Sequence, residues 1–292
     1  MASSITIIFS PYHVGLRDHR VGDGPNRIRD MGLKTELESL GLSMDLQEIS
    51  HVDDFEGEIG RSFEVLRRIS DAVSRAKQAN SFPLVLSGNC MATVGVACGL
   101  GIEDPGFIYF DAHDDMDTPS TNTNGYFDAM GLSMLAGKSW HKLTKSIPGF
   151  SPKSYSKFLY CGLRDIDDDQ KQTVLDAGAD VIWGNPKETI DFPQELQRHL
   201  GQKNYSPALI HLDLDVLDET VGKVNGYESA GGLREEDAIK CLGLVPEKSK
   251  AVSLTVCSFN PNLGDGNKVA TIAVRAIVAL VVSMLESGQI LK

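Results

Sequence analysis

None of the five cysteines sits in a Cys-x-x-Cys pair, and their odd number and scatter give no disulfide framework. Reduced thiols in a cytoplasmic protein are the expectation. Positive charge is also scarce: 28 Lys and Arg stand against 40 Asp and Glu, for a net charge of -12 and a pI of about 5.0. Binding a phosphate backbone needs clustered Lys and Arg, so no nucleic-acid partner is expected. A local field can still hold an anionic small molecule. No run of about 18 apolar residues occurs, so no membrane span is expected. The apolar start, Met1 to Phe9, lacks a basic leader and a cleavage site and reads as a first strand, not a signal peptide. No linker, low-complexity segment or repeat interrupts the 292 residues, which are expected to form one domain.

What the chain does have is apolar runs of strand length alternating with amphipathic segments. Strands are expected at 5–10, 44–49, 82–86, 106–111, 157–163, 180–183, 208–215 and 251–257. Helices are expected at about 25–40, 60–79, 91–100, 129–136, 170–175, 193–200, 233–242 and 267–286, with an acidic loop from Asp53 to Gly57. Such alternation predicts a single three-layer α/β/α domain with a mostly parallel, doubly wound sheet. Residues 116–128 form a long polar loop, a length usually tied to function or disorder.

Acidic residues gather where apolar runs end. Phe110-Asp-Ala-His-Asp-Asp-Met-Asp117 packs four carboxylates and one imidazole behind a buried-strand pattern. If the extended backbone continues past Phe110, Asp111, His113 and Asp115 share one side. A solvated acidic loop is the bland reading; a divalent-cation site is the functional one. Asp213 and Asp215 end another run two residues apart, and Cys90, Asp167 and Ser258 follow others. In a parallel sheet these ends lie along one edge. Four carboxylates on one edge repel unless cations intervene, and two metals can share them where one cannot. Paired metals about 3.5–4 Å apart ionise a water for hydrolysis, and Mn²⁺ suits an oxygen-rich set.

The chain resembles the ureohydrolases, in particular the arginase branch, from Pro11 to the last helix. Asp111-Ala-His-Asp-Asp115 matches the family's Asp-Ala-His-x-Asp, and Asp213-Leu-Asp215-Val-Leu-Asp218 its Asp-x-Asp-x-x-Asp. Gly162-Leu-Arg-Asp-Ile-Asp167, Gly22-Asp-Gly-Pro25 and Asn260-Pro261 fall at further landmarks. The resemblance implies a parallel α/β fold with a binuclear manganese centre. Asp111 and Asp213 would bridge the metals, with His113 and Asp215 on one ion and Asp115 on the other. Asp115 would also orient a bridging hydroxide that attacks the amidine carbon. Asp167 matches the residue that recognises a substrate α-amino group, which implies an amino-acid substrate. Family members commonly assemble as trimers or hexamers.

The departures from the family pattern bear on the substrate. Where the family reads Gly-Gly-Asp-His, this chain reads Ser87-Gly-Asn-Cys90. Cys90 is either a thiolate ligand in place of histidine or a small buried residue. As a ligand it adds one negative charge to the centre, weakens acidification of water and favours softer ions. Asp128 stands where arginases carry a proton-shuttling histidine and becomes the candidate proton donor. Asp117 and Asn124 replace the residues that hold the substrate carboxylate, with Asn122 in the same loop and Tyr126 for a further Asn. Ser258 replaces the glutamate that grips the guanidinium, so a charge-assisted bidentate contact is lost. In Gly88-Asn89-Cys90 the chain resembles a biosynthetic branch with Gly-Asn-Cys at the first ligand that acts on N-hydroxyarginine, whose head group is less basic. The expected activity is therefore hydrolysis of a guanidino-type amino acid, arginine or N-hydroxyarginine, releasing urea or hydroxyurea. An amide hydrolase on the same fold and a catalytically silent relative are the alternatives. Cys98, Cys161, Cys241 and Cys257 are expected in the core, His13 and His19 at an exposed rim, and His211 either at the site or as a hydrogen-bonded strand residue.

Overall fold

The computed structural model describes residues 1–53 and 57–292. Most of the loop expected from Asp53 to Gly57 therefore lies outside the described residues. Eight strands form one sheet: β1 Ser4–Ser10, β2 Met44–Glu48, β3 Ser81–Ser87, β4 Gly106–Phe110, β5 Phe158–Leu163, β6 Asp180–Trp183, β7 Ala208–Asp213 and β8 Ala251–Cys257. Their spatial order is β2-β1-β3-β8-β7-β4-β5-β6, and every pairing is parallel. The mostly parallel α/β/α expectation holds.

The central strands are apolar on both faces because helices cover both. Ile7, Phe9, Leu84, Leu86, Ile108, Phe110, Ile210 and Leu212 belong to one core layer. Ile8, Val85, Phe107, Tyr109 and Leu209 belong to the other. The first layer lies beneath α8 Phe192–Gln202, α9 Glu235–Lys248 and α10 Gly266–Glu286; the second lies beneath α3 Glu58–Gln78 and α4 Ala92–Leu100.

Several boundaries move for local reasons. The helix expected at 25–40 is two, α1 Gly24–Asp30 and α2 Leu33–Ser39, because Gly32 turns left-handed at φ +88° between them. The strand expected to reach Asp215 stops at Asp213 and tightens into a 3₁₀ turn, Leu214–Val216. The strand expected to reach Asp111 stops at Phe110. The helix at 129–136 starts as a 3₁₀ turn, Phe127–Met130, before α5 Gly131–Leu135. The exclusion of a membrane-length segment was too broad, since α10 is long and apolar enough by length and composition to cross a bilayer. Within the fold it is a core helix: Val269, Ile272, Ala273, Ile277, Leu280 and Val281 are buried.

Candidate active site

Four neighbouring strands, β3, β8, β7 and β4, end at one edge of the sheet. Each delivers a functional side chain there, as parallel sheets do at a reversal of strand order. Beyond β3, Gly88 packs so closely on the Tyr12 carbonyl that a Cβ would come within 2.1 Å of its oxygen. Only glycine lets the chain turn there and present Asn89 and Cys90. Asn89 Oδ1 accepts from the Val14 backbone N–H at 2.7 Å. The Cys90 thiol is buried, 2.7 Å from Asp213 Oδ2 and 2.8 Å from Ser258 Oγ. Ser258 follows β8 in a left-handed conformation, φ +60°, which a non-glycine residue adopts at a cost.

Beyond β4 the backbone leaves the strand. Asp115 itself is left-handed at φ +53°, so the expected alternation of Asp111, His113 and Asp115 on one side does not apply. A tighter arrangement replaces it. Donor atoms of Cys90, Asp111 and Asp115 form one group, those of Asp111, His113 and Asp215 a second, and each group spans under 4.8 Å. Asp111 is common to both. His113 Nδ1 lies 3.3 Å from Asp215 Oδ2 and 3.5 Å from Asp111 Oδ1. Asp115 Oδ2 accepts from the Tyr109 hydroxyl at 2.8 Å. Asp213 Oδ1 accepts from the Asp215 backbone N–H at 2.7 Å, and Asp215 Oδ2 from Asn225 Nδ2 at 2.7 Å.

The 215–217 turn is held from below by Arg164, which follows β5. Its guanidinium donates to the carbonyls of Gly162, Asp215, Val216, Leu217 and Ser229, at 2.9–3.3 Å. Arg164 of the Gly-Leu-Arg segment read from the sequence is therefore a clamp, reaching across β4, on the turn that carries Asp215.

The electrostatics are those of concentrated negative charge. Burial and the neighbouring Asp215 raise Asp111 to about 7. Burial, then Asp111 and Asp128, push Asp115 well up; burial, then Asp215 and Asp111, do the same to Asp213. Burial alone would raise Asp215, but His113 and the hydrogen bonds around it bring it down to about 2. Burial raises the Cys90 thiol well above its ordinary value, with Cys257 and Asp213 adding to the effect. Asp111 Oδ2 is buried without a hydrogen-bond partner. A donor set of carboxylates, one imidazole and one thiol, with an orphaned buried oxygen at its centre, fits a pair of divalent cations.

A cavity of about 160 Å³ opens onto this set, lined among others by Cys90, His113, Asp115, Asp117, Asn122, Asn124, Tyr126, Asp128, Asp213, Asp215 and Ser258. Three of the expected site residues also have structural roles. Asp128, expected as a proton donor, has both oxygens engaged: Oδ1 by the Met91 N–H at 2.9 Å, Oδ2 by Asn89 Nδ2 at 2.7 Å and the Cys90 N–H at 3.1 Å. It braces the turn that carries Cys90, and burial raises it to about 6 against those hydrogen bonds. Asp117 is tied by Asn122 Nδ2 at 2.8 Å and Thr121 at 3.2 Å, so it organises the loop. Asp167, expected to recognise an amino group, lies exposed and outside the cavity lining. It caps α7 Asp168–Asp176 in a capping box with Gln170.

Other residues of the site were not anticipated. Asp114, Gln170, Asn225 and Tyr227 also line the cavity, and the Tyr227 ring stacks on Tyr126 with centroids 5.8 Å apart. His13 is buried, not exposed, and burial followed by Arg20 lowers it to about 4. Cys257, assigned to the core, is buried, yet its Sγ lies 3.7 Å from that of Cys90. His211 faces the site from β7, its Nε2 3.4 Å from Cys257 Sγ.

A sequence model of the arginase family matches residues 3–283. The arginase of Eremothecium gossypii is 26% identical over 279 residues, covering 88% of this chain and 69% of the relative. That of Bacillus caldovelox is 25% identical over 293 residues, covering 94% and 97%. The solved structure of the Bacillus caldovelox arginase superposes with a TM-score of 0.85 at 24% identity, covering 95% of this chain and 98% of that one. The match spans the β3, β4, β7 and β8 ends that build the site, and the chain belongs to the arginase family, ureohydrolases that act on C–N bonds.

Proposed function

We propose that the chain hydrolyses a guanidino-type amino acid, with N-hydroxyarginine favoured over arginine, at a centre of two Mn²⁺ ions. The observation that carries this reading is the pair of donor groups joined through the buried Asp111, whose other members Cys90, Asp115, His113 and Asp215 line one cavity together with Ser258. Cys90, Asp111, Asp115 and Asp213 would hold one cation, and Asp111, His113, Asp213 and Asp215 the other. A cation pair supplies an ionised water at neutral pH as nucleophile.

The protein's own groups do the rest. Asp115, oriented by Tyr109, faces the reacting centre. Asn124 and Tyr126 line the same cavity, on the loop that the Asp117–Asn122 hydrogen bond ties down, and would meet the amino-acid end. Ser258 offers a neutral hydroxyl to the head group. A strongly basic guanidinium loses most from the missing carboxylate, because a charge-assisted contact is about twice as strong as a neutral one. An N-hydroxyguanidine is less basic and loses less. An amide substrate, without a guanidinium, would also tolerate Ser258.

Product analysis of the Mn²⁺-loaded protein separates these readings. Hydroxyurea release from N-hydroxyarginine, faster than urea release from arginine, is expected. Neither urea nor hydroxyurea, alongside hydrolysis of an acylated amine, would replace the reading with the amide one.

A further inference from the structure

Behind the two carboxylate groups lies a third cluster, softer and fully buried. Cys90 Sγ, Cys257 Sγ, His211 Nε2 and Asp213 Oδ2 come from three adjacent strand ends, β3, β8 and β7. One donor atom from each residue lies within 4.8 Å of all the others. Two thiols, one imidazole and one carboxylate are a tetrahedral zinc set by residue type.

The distances agree with that geometry. A tetrahedral Zn²⁺ with Zn–S bonds of about 2.3 Å places two sulfurs about 3.8 Å apart, and a sulfur and a histidine nitrogen about 3.5 Å apart. The Cys90 and Cys257 sulfurs are 3.7 Å apart. Cys257 Sγ and His211 Nε2 are 3.4 Å apart. One edge is short: Cys90 Sγ is 2.7 Å from Asp213 Oδ2, where it makes a hydrogen bond. That bond disappears when the thiol proton leaves, and the carboxylate then opens to about 3.6 Å.

The imidazole is held for the task. Its ring stacks on Tyr109 with centroids 3.9 Å apart and planes within 3°. Its Nδ1 lies 2.6 Å from Thr93 Oγ1, the outer hydrogen bond that ligating histidines usually make. Nε2 is left facing the two sulfurs.

We propose that Cys90, His211, Asp213 and Cys257 form a binding position for a soft divalent cation, Zn²⁺ by donor type, behind the binuclear centre. Binding releases two thiol protons to solvent. Where Cys90 and Asp213 also ligate the binuclear centre, as proposed above, a cation here withdraws two ligands from it. Excess Zn²⁺ then inhibits a Mn²⁺-loaded enzyme, and a thiol-directed chelator relieves the inhibition.

X-ray absorption at the zinc edge of the intact protein, loaded with one equivalent of Zn²⁺, tests this directly. Two sulfur neighbours at about 2.3 Å are expected, falling to one in Cys257→Ser. One sulfur or none in the wild-type protein overturns the proposal, whatever the variant does. A result of one sulfur, with manganese content and turnover intact, leaves the hydrolase reading standing and rejects only the soft position.

Discussion

Cys90, Asp128 and Ser258, which the sequence resemblance marks as departures, meet around Cys90. Cys90 is hydrogen-bonded toward Ser258 and Asp213, and Asp128 grips the backbone beneath it. A histidine at position 90 would supply the ligand that the resemblance implies for that position. Cys90→His is expected to raise arginine hydrolysis by roughly tenfold, about 1.4 kcal/mol of barrier; unchanged metal content and activity would remove Cys90 from the ligand set. Asp128→Asn separates bracing from proton transfer. A brace predicts loss of bound cation together with activity, while a pure proton donor predicts full cation content with slow turnover. Asp111 carries a pH signature in the cation-free protein. Its folded value of about 7 stands above the ordinary 3.8, so the folded state holds a proton that the unfolded state releases. That contribution is complete below about 3.8 and is lost as pH rises through about 7. Chelated Asp111→Asn should therefore match the chelated wild type in thermal stability near pH 4 and exceed it at pH 8; equal melting at both would contradict the assignment.

At the scale of elements, the turns that carry Cys90 and Asp215 depend on supports from other strands. Gly88 has the Tyr12 carbonyl in the space a Cβ would need. Gly88→Ala should shift the Cys90 turn, cost about 1–3 kcal/mol and lower cation content, measured by thermal melting and metal analysis. Arg164→Ala strands several buried carbonyls at about 1–3 kcal/mol each, so a loss of at least about 3 kcal/mol is expected in denaturant titration. The strands themselves were legible because apolar runs of the right length alternate with amphipathic ones. The acids were legible because they follow those runs directly. What escaped depends on pairing between distant strands: β3 beside β8 puts Cys257 next to Cys90, and periodicity within either segment carries no sign of it. Asn225 and Tyr227 reach the site from a loop with no periodic pattern. Asp167 has a structural role that a local signal announces: Asp167-Asp-Asp-Gln170 is a capping-box spacing, and the structure uses it as one. His113 and Asp115 join Asp111 as expected, but through a left-handed turn and not an extended strand.

At the scale of the whole molecule, net charge of -12 and a buried carboxylate cluster pull in the same direction. The net charge attracts cations to the chain in either state, whereas the assembled cluster binds them in the folded state alone. Saturation at a hundredfold excess over Kd is worth about 2.7 kcal/mol for one site. Chelation at pH 8 should therefore lower Tm by several degrees, and Mn²⁺ should restore it while Ca²⁺ at the same concentration restores less. The sheet edge that gathers β3, β8, β7 and β4 makes the central claim of a two-cation hydrolase a claim about position. Anomalous diffraction at the manganese edge, on crystals of the Mn²⁺-loaded protein, measures that position. Two peaks about 3.5–4 Å apart are predicted, one against Cys90, Asp111, Asp115 and Asp213 and one against Asp111, His113, Asp213 and Asp215. No peak at Asp111, or a single one that leaves His113 and Asp215 without a cation, would contradict the account.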